Sequence, residues 1–166
     1  LDVKEFALAC QAVGFDARLA VATVREPGDH FVCVVHVEGR RFLCDVGNGH
    51  PYLRPWDLDA LVQEQAFHGW RFQFDPRGAE GPTLRRALPD GRVKTVYVVD
   101  PAPRAYADFA PMVSAHYTRE EFGPFLTGLR AVRICPDAVL TLRDAEYGRD
   151  TPFGRSLRRV GGRDAA

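Results

Sequence analysis

Apolar positions along the chain change period several times, and each change predicts an element. Val3, Phe6, Cys10 and Val13 recur at helical spacing, with Ala7 and Ala9 between them. They predict a helix over 1–13 with one buried face, stopped at Gly14. Residues 17–25 (ARLAVATVR) alternate and predict a strand, followed by a turn at Glu26-Pro27-Gly28-Asp29. Residues 31–37, with Val32, Val34 and Val35 apolar, predict a second strand. Glu38-Gly39 with Arg40 predicts a hairpin turn into a return strand over 41–46. The Pro-rich stretch from His50 to Leu58 (HPYLRPWDL) reads as an ordered loop.

Residues 67–75 (FHGWRFQFD) alternate aromatic and polar side chains and predict another strand. A loop over 76–82, a strand over 83–87, a turn at Pro89-Asp90-Gly91 and a strand over 93–99 complete an antiparallel meander. A helix is expected over 105–117, with Phe109, Met112, Val113 and His116 on one side. Residues 130–134 and 138–143 predict a last hairpin around Cys135-Pro136-Asp137. From Gly148 the composition turns to Arg, Gly and Asp, so 148–166 is expected to be a disordered or truncated tail behind a single domain of 1–147. There is no internal repeat. The expected fold is α+β: an N-terminal helix packed on an antiparallel, barrel-like sheet of about six to eight strands.

Composition narrows the function classes. Apolar residues are 46% and charged residues 27% of the 166, ordinary for a globular chain. Lys plus Arg and Asp plus Glu both number 22, so no overall electrostatic footprint for nucleic acid or an anionic membrane is present. No apolar run is long enough to span a bilayer, and no signal peptide is read. Cys10, Cys33, Cys44 and Cys135 form no C-x-x-C pair and read as free thiols of a reducing cytoplasm. The chain opens on Leu1 without Met, and no capping residue is read before the helix. It is therefore expected to be an N-terminally truncated piece of a longer protein.

The chemistry concentrates between Asp29 and Tyr52. His30 opens one strand and Asp45 closes its hairpin partner, so the two side chains lie opposite or diagonal across the ladder. An imidazole held by a carboxylate is two-thirds of a nucleophile triad. Asp45 lies between Cys44 and Val46, where a carboxylate needs a partner. A zinc site from His30, His36 and Cys33 is disfavoured because Cys33 points to the other face, and no metal is expected. His50, His68 and His116 lack ligand spacing, and Gly47-x-Gly49 is not a dinucleotide fingerprint.

The order of these features resembles the arylamine N-acetyltransferases. The resemblance rests on a helix ending in Gly14-Phe15, an Arg-bearing strand over 17–24, and His30 followed by Val32, Val34 and Val35. It continues through Gly39-Arg-Arg-Phe-Leu-Cys-Asp-Val-Gly-Asn-Gly49, and less specifically through Pro55-Trp-Asp-Leu58, Val96-Tyr-Val-Val-Asp100 and Asp108-Phe109 to Phe125. It covers about Phe6 to Leu142, and implies a cysteine-proteinase-like fold.

The implied reaction is acetyl transfer from acetyl-CoA, as acyl donor and co-substrate, to a small arylamine or hydrazine through a Cys thioester. His30 would be the base and Asp45 its orienter, with Gly47, Asn48 and Gly49 near the acyl donor.

The departures are specific. The family's nucleophilic Cys would fall about two residues before Leu1, and Cys10 is too far along the helix to replace it. Asn48 stands where the family has Phe, Gly123-Pro124-Phe125 stands where a Ser-bearing loop is expected near CoA, and the C-terminal lid region is short or absent. The 166-residue chain is therefore expected to be inactive by itself. Two other classes remain open from sequence: a transglutaminase- or peptidase-like Cys-His-Asp enzyme, and a non-catalytic relative acting as a binding module. The acceptor and the oligomeric state are not read from the sequence.

Overall fold

The computed structural model describes residues 2–88, 90–120, 128–151 and 153–161. Leu1, Pro89, the expected Gly123-Pro124-Phe125 loop and 162–166 lie outside them. The chain packs as two compact units, 1–66 with 70–109, and 67–69 with 110–166. This differs from the single domain expected over 1–147.

The first unit opens with helix α1, Val3–Ala12. Asp2 caps it, accepting the Glu5 N–H at 2.8 Å, and the Glu5 carboxylate accepts the Asp2 N–H at 3.4 Å. This reciprocal box satisfies two donors that a helix start leaves over. The cap corrects the expectation of an uncapped start: the helix begins two residues later than its apolar period suggests, which turns Asp2 into the capping residue.

Strands β1 (Asp16–Thr23), β2 (His30–Val37), β3 (Arg40–Cys44), β4 (Trp56–Asp57), β5 (Gln63–Phe67), β6 (Trp70–Asp75), β7 (Thr83–Ala87) and β8 (Val93–Arg104) follow. They form one sheet in the order β4-β3-β2-β1-β8-β7-β6-β5. The sheet is barrel-like, nearly closed and antiparallel, as expected. One face is a core of Ala20, Val32, Leu43, Trp56, Phe74, Leu84 and Tyr97, all 0% exposed. Burial of this kind contributes roughly 25 cal/mol per Å² of apolar surface. α1 packs on β1 and β2 through Val3 and Ala7.

Two differences in this unit follow from turn chemistry. The strand expected over 67–75 breaks at His68-Gly69, both at positive φ (46° and 81°). The loop expected at 50–58 contains β4, where Trp56 pairs with Leu43. The Trp56 side chain is fully buried, and burial, not strand propensity, fixes that short pairing.

The second unit contains a 3-residue stretch, 67–69, helix α2 (Ala110–Thr118), and a four-stranded antiparallel sheet. Its strands are β9 (Arg130–Ile134), β10 (Val139–Arg143), β11 (Glu146–Thr151) and β12 (Gly154–Arg159), in the order β12-β11-β10-β9. A short 3₁₀ turn, Tyr106–Phe109, precedes α2 at the end of the first unit. Residues 148–159 are therefore largely strand, not the irregular tail expected. The inward positions of β11 are Gly148 and Asp150, so no apolar alternation announces the strand. Full backbone pairing with β10 and β12 holds it. Among the described residues, no helix is long and apolar enough to cross a membrane.

Candidate active site

The β2–β3 hairpin sets the site. Glu38 and Gly39 both have positive φ (51° and 77°), and Val37 pairs with Arg40. A two-residue turn of this hand matches the right-handed twist of the strands, and it fixes the register. Cys33 lies opposite Cys44. Continued past that pair, the same register sets Gly47 opposite His30, with Asp45 diagonal to His30 on the same face. The strand ends at Cys44, and the chain bends so that the carboxylate turns under the imidazole. His30 Nε2 and Asp45 Oδ2 are 3.0 Å apart. The His30 side chain keeps 17% of its exposure while that of Asp45 keeps none.

Asp45 is fully partnered. Oδ1 accepts the N–H groups of Gly47 (3.0 Å) and Asn48 (3.1 Å). Oδ2 accepts the Tyr52 hydroxyl at 2.6 Å as well as His30. Burial pushes this carboxyl up, but the hydrogen bond and charge of His30, then Tyr52 and the Gly47 N–H, outweigh it and hold it below the usual range. A carboxylate is acceptor-only, so His30 presents Nε2–H to it and keeps its lone pair on Nδ1.

Gly47 makes room for this packing. A Cβ there would stand 3.1 Å from Val3 Cγ2, 3.5 Å from His30 Cε1 and 3.8 Å from Asp45 Oδ1. The first turn of α1 therefore lies against the same Gly47 slot as the imidazole and the carboxylate.

Three residues missed at the sequence level complete the surroundings. Tyr52 lies seven positions after Asp45 in a Pro-rich stretch, and only its buried hydroxyl could have signalled a role. Tyr97 is fully buried on β8, its hydroxyl 3.5 Å from that of Tyr52 and its ring 5.7 Å from His30. Burial pushes both phenols well above their ordinary range. His50 packs edge-on to Trp70 (5.6 Å) and Phe72 (5.5 Å). Burial, then the charge of Arg86, pushes it down to about 4, so it is neutral at physiological pH.

The cysteines stay apart from this chemistry. Cys33 is buried and its thiol is pushed up to about 12, chiefly by desolvation. Cys44 is pushed up to about 11 for the same main reason. Neither is a thiolate at neutral pH, and the thiolate is the nucleophile. Cys10 lies two turns beyond Val3, roughly 10 Å along α1 at 1.5 Å per residue. Cys135 belongs to the second unit. All four are free thiols. His36 turns to Asp16, 2.9 Å away, and among the described residues no group of three or more His, Cys, Asp or Glu could hold a metal ion.

Comparison with known proteins gives the family. Residues 4–160 match the N-acetyltransferase family. The chain belongs to the arylamine N-acetyltransferase family. This is a family of acyltransferase enzymes. The arylamine N-acetyltransferase of Mycobacterium abscessus superimposes with a TM-score of 0.81 at 25% identity, over 95% of this chain and 60% of that one. That of Nocardia farcinica gives 0.78 at 26% identity, over 93% and 58%. The Mycobacterium marinum enzyme, solved in complex with CoA, gives 0.81 at 19% identity, over 94% and 60%, and shows the shared fold. The chain thus spans about 60% of the length of these arylamine N-acetyltransferases. No protein of curated function matches it.

Within the family frame, the turn at Gly47-Asn48-Gly49 has a defined state. The N–H groups of Gly47 and Asn48 are committed to Asp45. The Asn48 side chain is half-buried.

Proposed function

We propose that this chain carries the base and orienter of an arylamine N-acetyltransferase that moves an acetyl group from acetyl-CoA to an arylamine or hydrazine. The observation that carries the reading is the 3.0 Å bond from His30 Nε2 to buried Asp45, which leaves Nδ1 free to take a proton. The nucleophilic thiol in this reading is a cysteine on the N-terminal side of Leu1. Val3, in the first turn of α1, lies against the same Gly47 as His30 and Asp45.

Acetyl-CoA supplies the acetyl group already activated as a thioester. His30 Nδ1 takes the proton of the cysteine thiol, and Asp45 stabilises the imidazolium that forms. The thiolate attacks the acetyl carbonyl, and His30 returns the proton to the departing sulfur. In the second half the amine attacks the cysteine thioester; His30 accepts the amine proton and passes it back to the cysteine sulfur. Each half conserves one proton on the imidazole, the pattern of ping-pong transfer. Gly49 N–H and Asn48 are the groups left at the turn to meet the acyl donor. Family membership favours this reaction over peptide hydrolysis or transamidation. The free thiols of Cys33 and Cys44, directly opposed across β2 and β3, suit a reducing, cytoplasmic setting.

The test is acetyl transfer to an aromatic hydrazine by the protein extended to include the upstream cysteine. Transfer that His30→Ala abolishes supports the reading. An extension without a cysteine before α1 makes the chain a non-catalytic relative.

A further inference from the structure

We propose that Tyr52 is a positioning residue of the His30–Asp45 dyad, its hydroxyl holding the carboxylate oxygen that in turn holds the imidazole. The inference rests on the reading of His30 as the base. It comes from this chain's own geometry. Asp45 Oδ2 is shared by two donors, His30 Nε2 at 3.0 Å and Tyr52 Oη at 2.6 Å. Oδ1 is held separately by two backbone N–H groups. With four donors on two oxygens the carboxylate has no freedom to rotate, and a fixed carboxylate fixes the ring that leans on it.

Tyr52 can do this because its own ring is locked. Its side chain packs at 86° against Phe72 (5.3 Å) and at 57° against Trp56 (5.9 Å). Pro51, fully buried, precedes it. The residue is 8% exposed, so water does not compete for the hydroxyl. The Tyr97 hydroxyl lies 3.5 Å from that of Tyr52, which joins β8 to the network.

The electrostatic consequence has a definite sign. A donor on Oδ2 withdraws charge from the oxygen that faces His30. It favours the ionised carboxylate, and it weakens the pull of that oxygen on the Nε2 proton. The titratable groups facing Asp45 are His30 and Tyr52, with Tyr97, His50 and Cys44 close by. His30 at 3.0 Å and Tyr52 at 2.6 Å make the short side-chain hydrogen bonds to it, and the Tyr97 hydroxyl also interacts with it.

Tyr52→Phe isolates the hydroxyl, because it keeps the ring contacts with Phe72 and Trp56. The experiment uses the 166-residue chain, followed by NMR on the Asp45 carboxyl carbon and on the downfield Nε2 proton of His30. Wild type should show the low carboxyl titration and a hydrogen-bonded ring proton. In Tyr52→Phe the Asp45 titration should move up, and the ring proton should shift further downfield as Oδ2 concentrates its charge on it. A folded Tyr52→Phe chain, judged by an unchanged aliphatic spectrum, with both signals unmoved overturns the proposal. If Tyr52→Phe does not fold, Tyr97→Phe, which leaves the 2.6 Å bond in place, provides the second arm. Little change in the Asp45 titration there supports Tyr52 as the holding group, and a full shift transfers the role to Tyr97 and overturns it. In the cysteine-bearing protein, Tyr52→Phe should lower kcat on the order of tenfold with KM for the amine unchanged. The dyad reading fails separately, if His30→Ala leaves transfer intact while the NMR signals still respond to Tyr52.

Discussion

Asp45 accepts four hydrogen bonds, from His30, Tyr52 and the N–H groups of Gly47 and Asn48. Its carboxylate is buried and depressed, so the linkage has one sign: it contributes stability above the ordinary carboxylate pKa, and that contribution is lost as pH falls through its own lower value. Asp45→Asn should cost about 1–3 kcal/mol at pH 7, because an amide cannot accept four donors. The cost should shrink toward zero in strong acid, as urea unfolding at a series of pH values would show. His50 has the same sign on a different window. Its imidazole is pushed down from 6.5 to about 4, so the unfolded chain binds the extra proton between those values, and stability falls as pH drops through them. His50→Phe should remove that slope, worth roughly 3 kcal/mol across the window. An unchanged slope would show that His50 is solvated.

At the scale of elements, the β2–β3 hairpin was the most legible feature of the sequence. The Val32, Val34 and Val35 pattern and the Glu38-Gly39 turn fix its register, and the register brings His30 and Asp45 onto one face. The bend after Cys44 was not legible, since it depends on Asp45 capturing the N–H groups of Gly47 and Asn48. Gly47 is the tightest point of this element, for reasons of space and not of backbone angle. Gly47→Ala puts a methyl 3.1 Å from Val3, on a helix packed against β1 and β2. It should lower the thermal midpoint and broaden the His30 ring proton, and the first effect alone would mean that α1 yields without disturbing the dyad. Tyr52 and Tyr97 escaped the sequence for a related reason: their hydroxyls matter through contacts 7 and 52 residues from Asp45, and no local pattern encodes those.

At the scale of the whole molecule, the first unit followed the sequence in β1 to β3 and β6 to β8, where apolar runs or alternation are bounded by turn residues. The second unit did not, because Gly148 and Asp150 fill the inward positions of β11 and leave no hydrophobic period to read. The match to the N-acetyltransferase family over 4–160 spans both units. The account then stands on His30 as the base of the proposed acetyl transfer. The most direct test measures acetyl-CoA-dependent acetylation of an aromatic hydrazine by the cysteine-bearing protein, wild type against His30→Ala. The account predicts a loss of at least about 10²-fold in kcat/KM. A His30→Ala protein that transfers acetyl at the wild-type rate would contradict it.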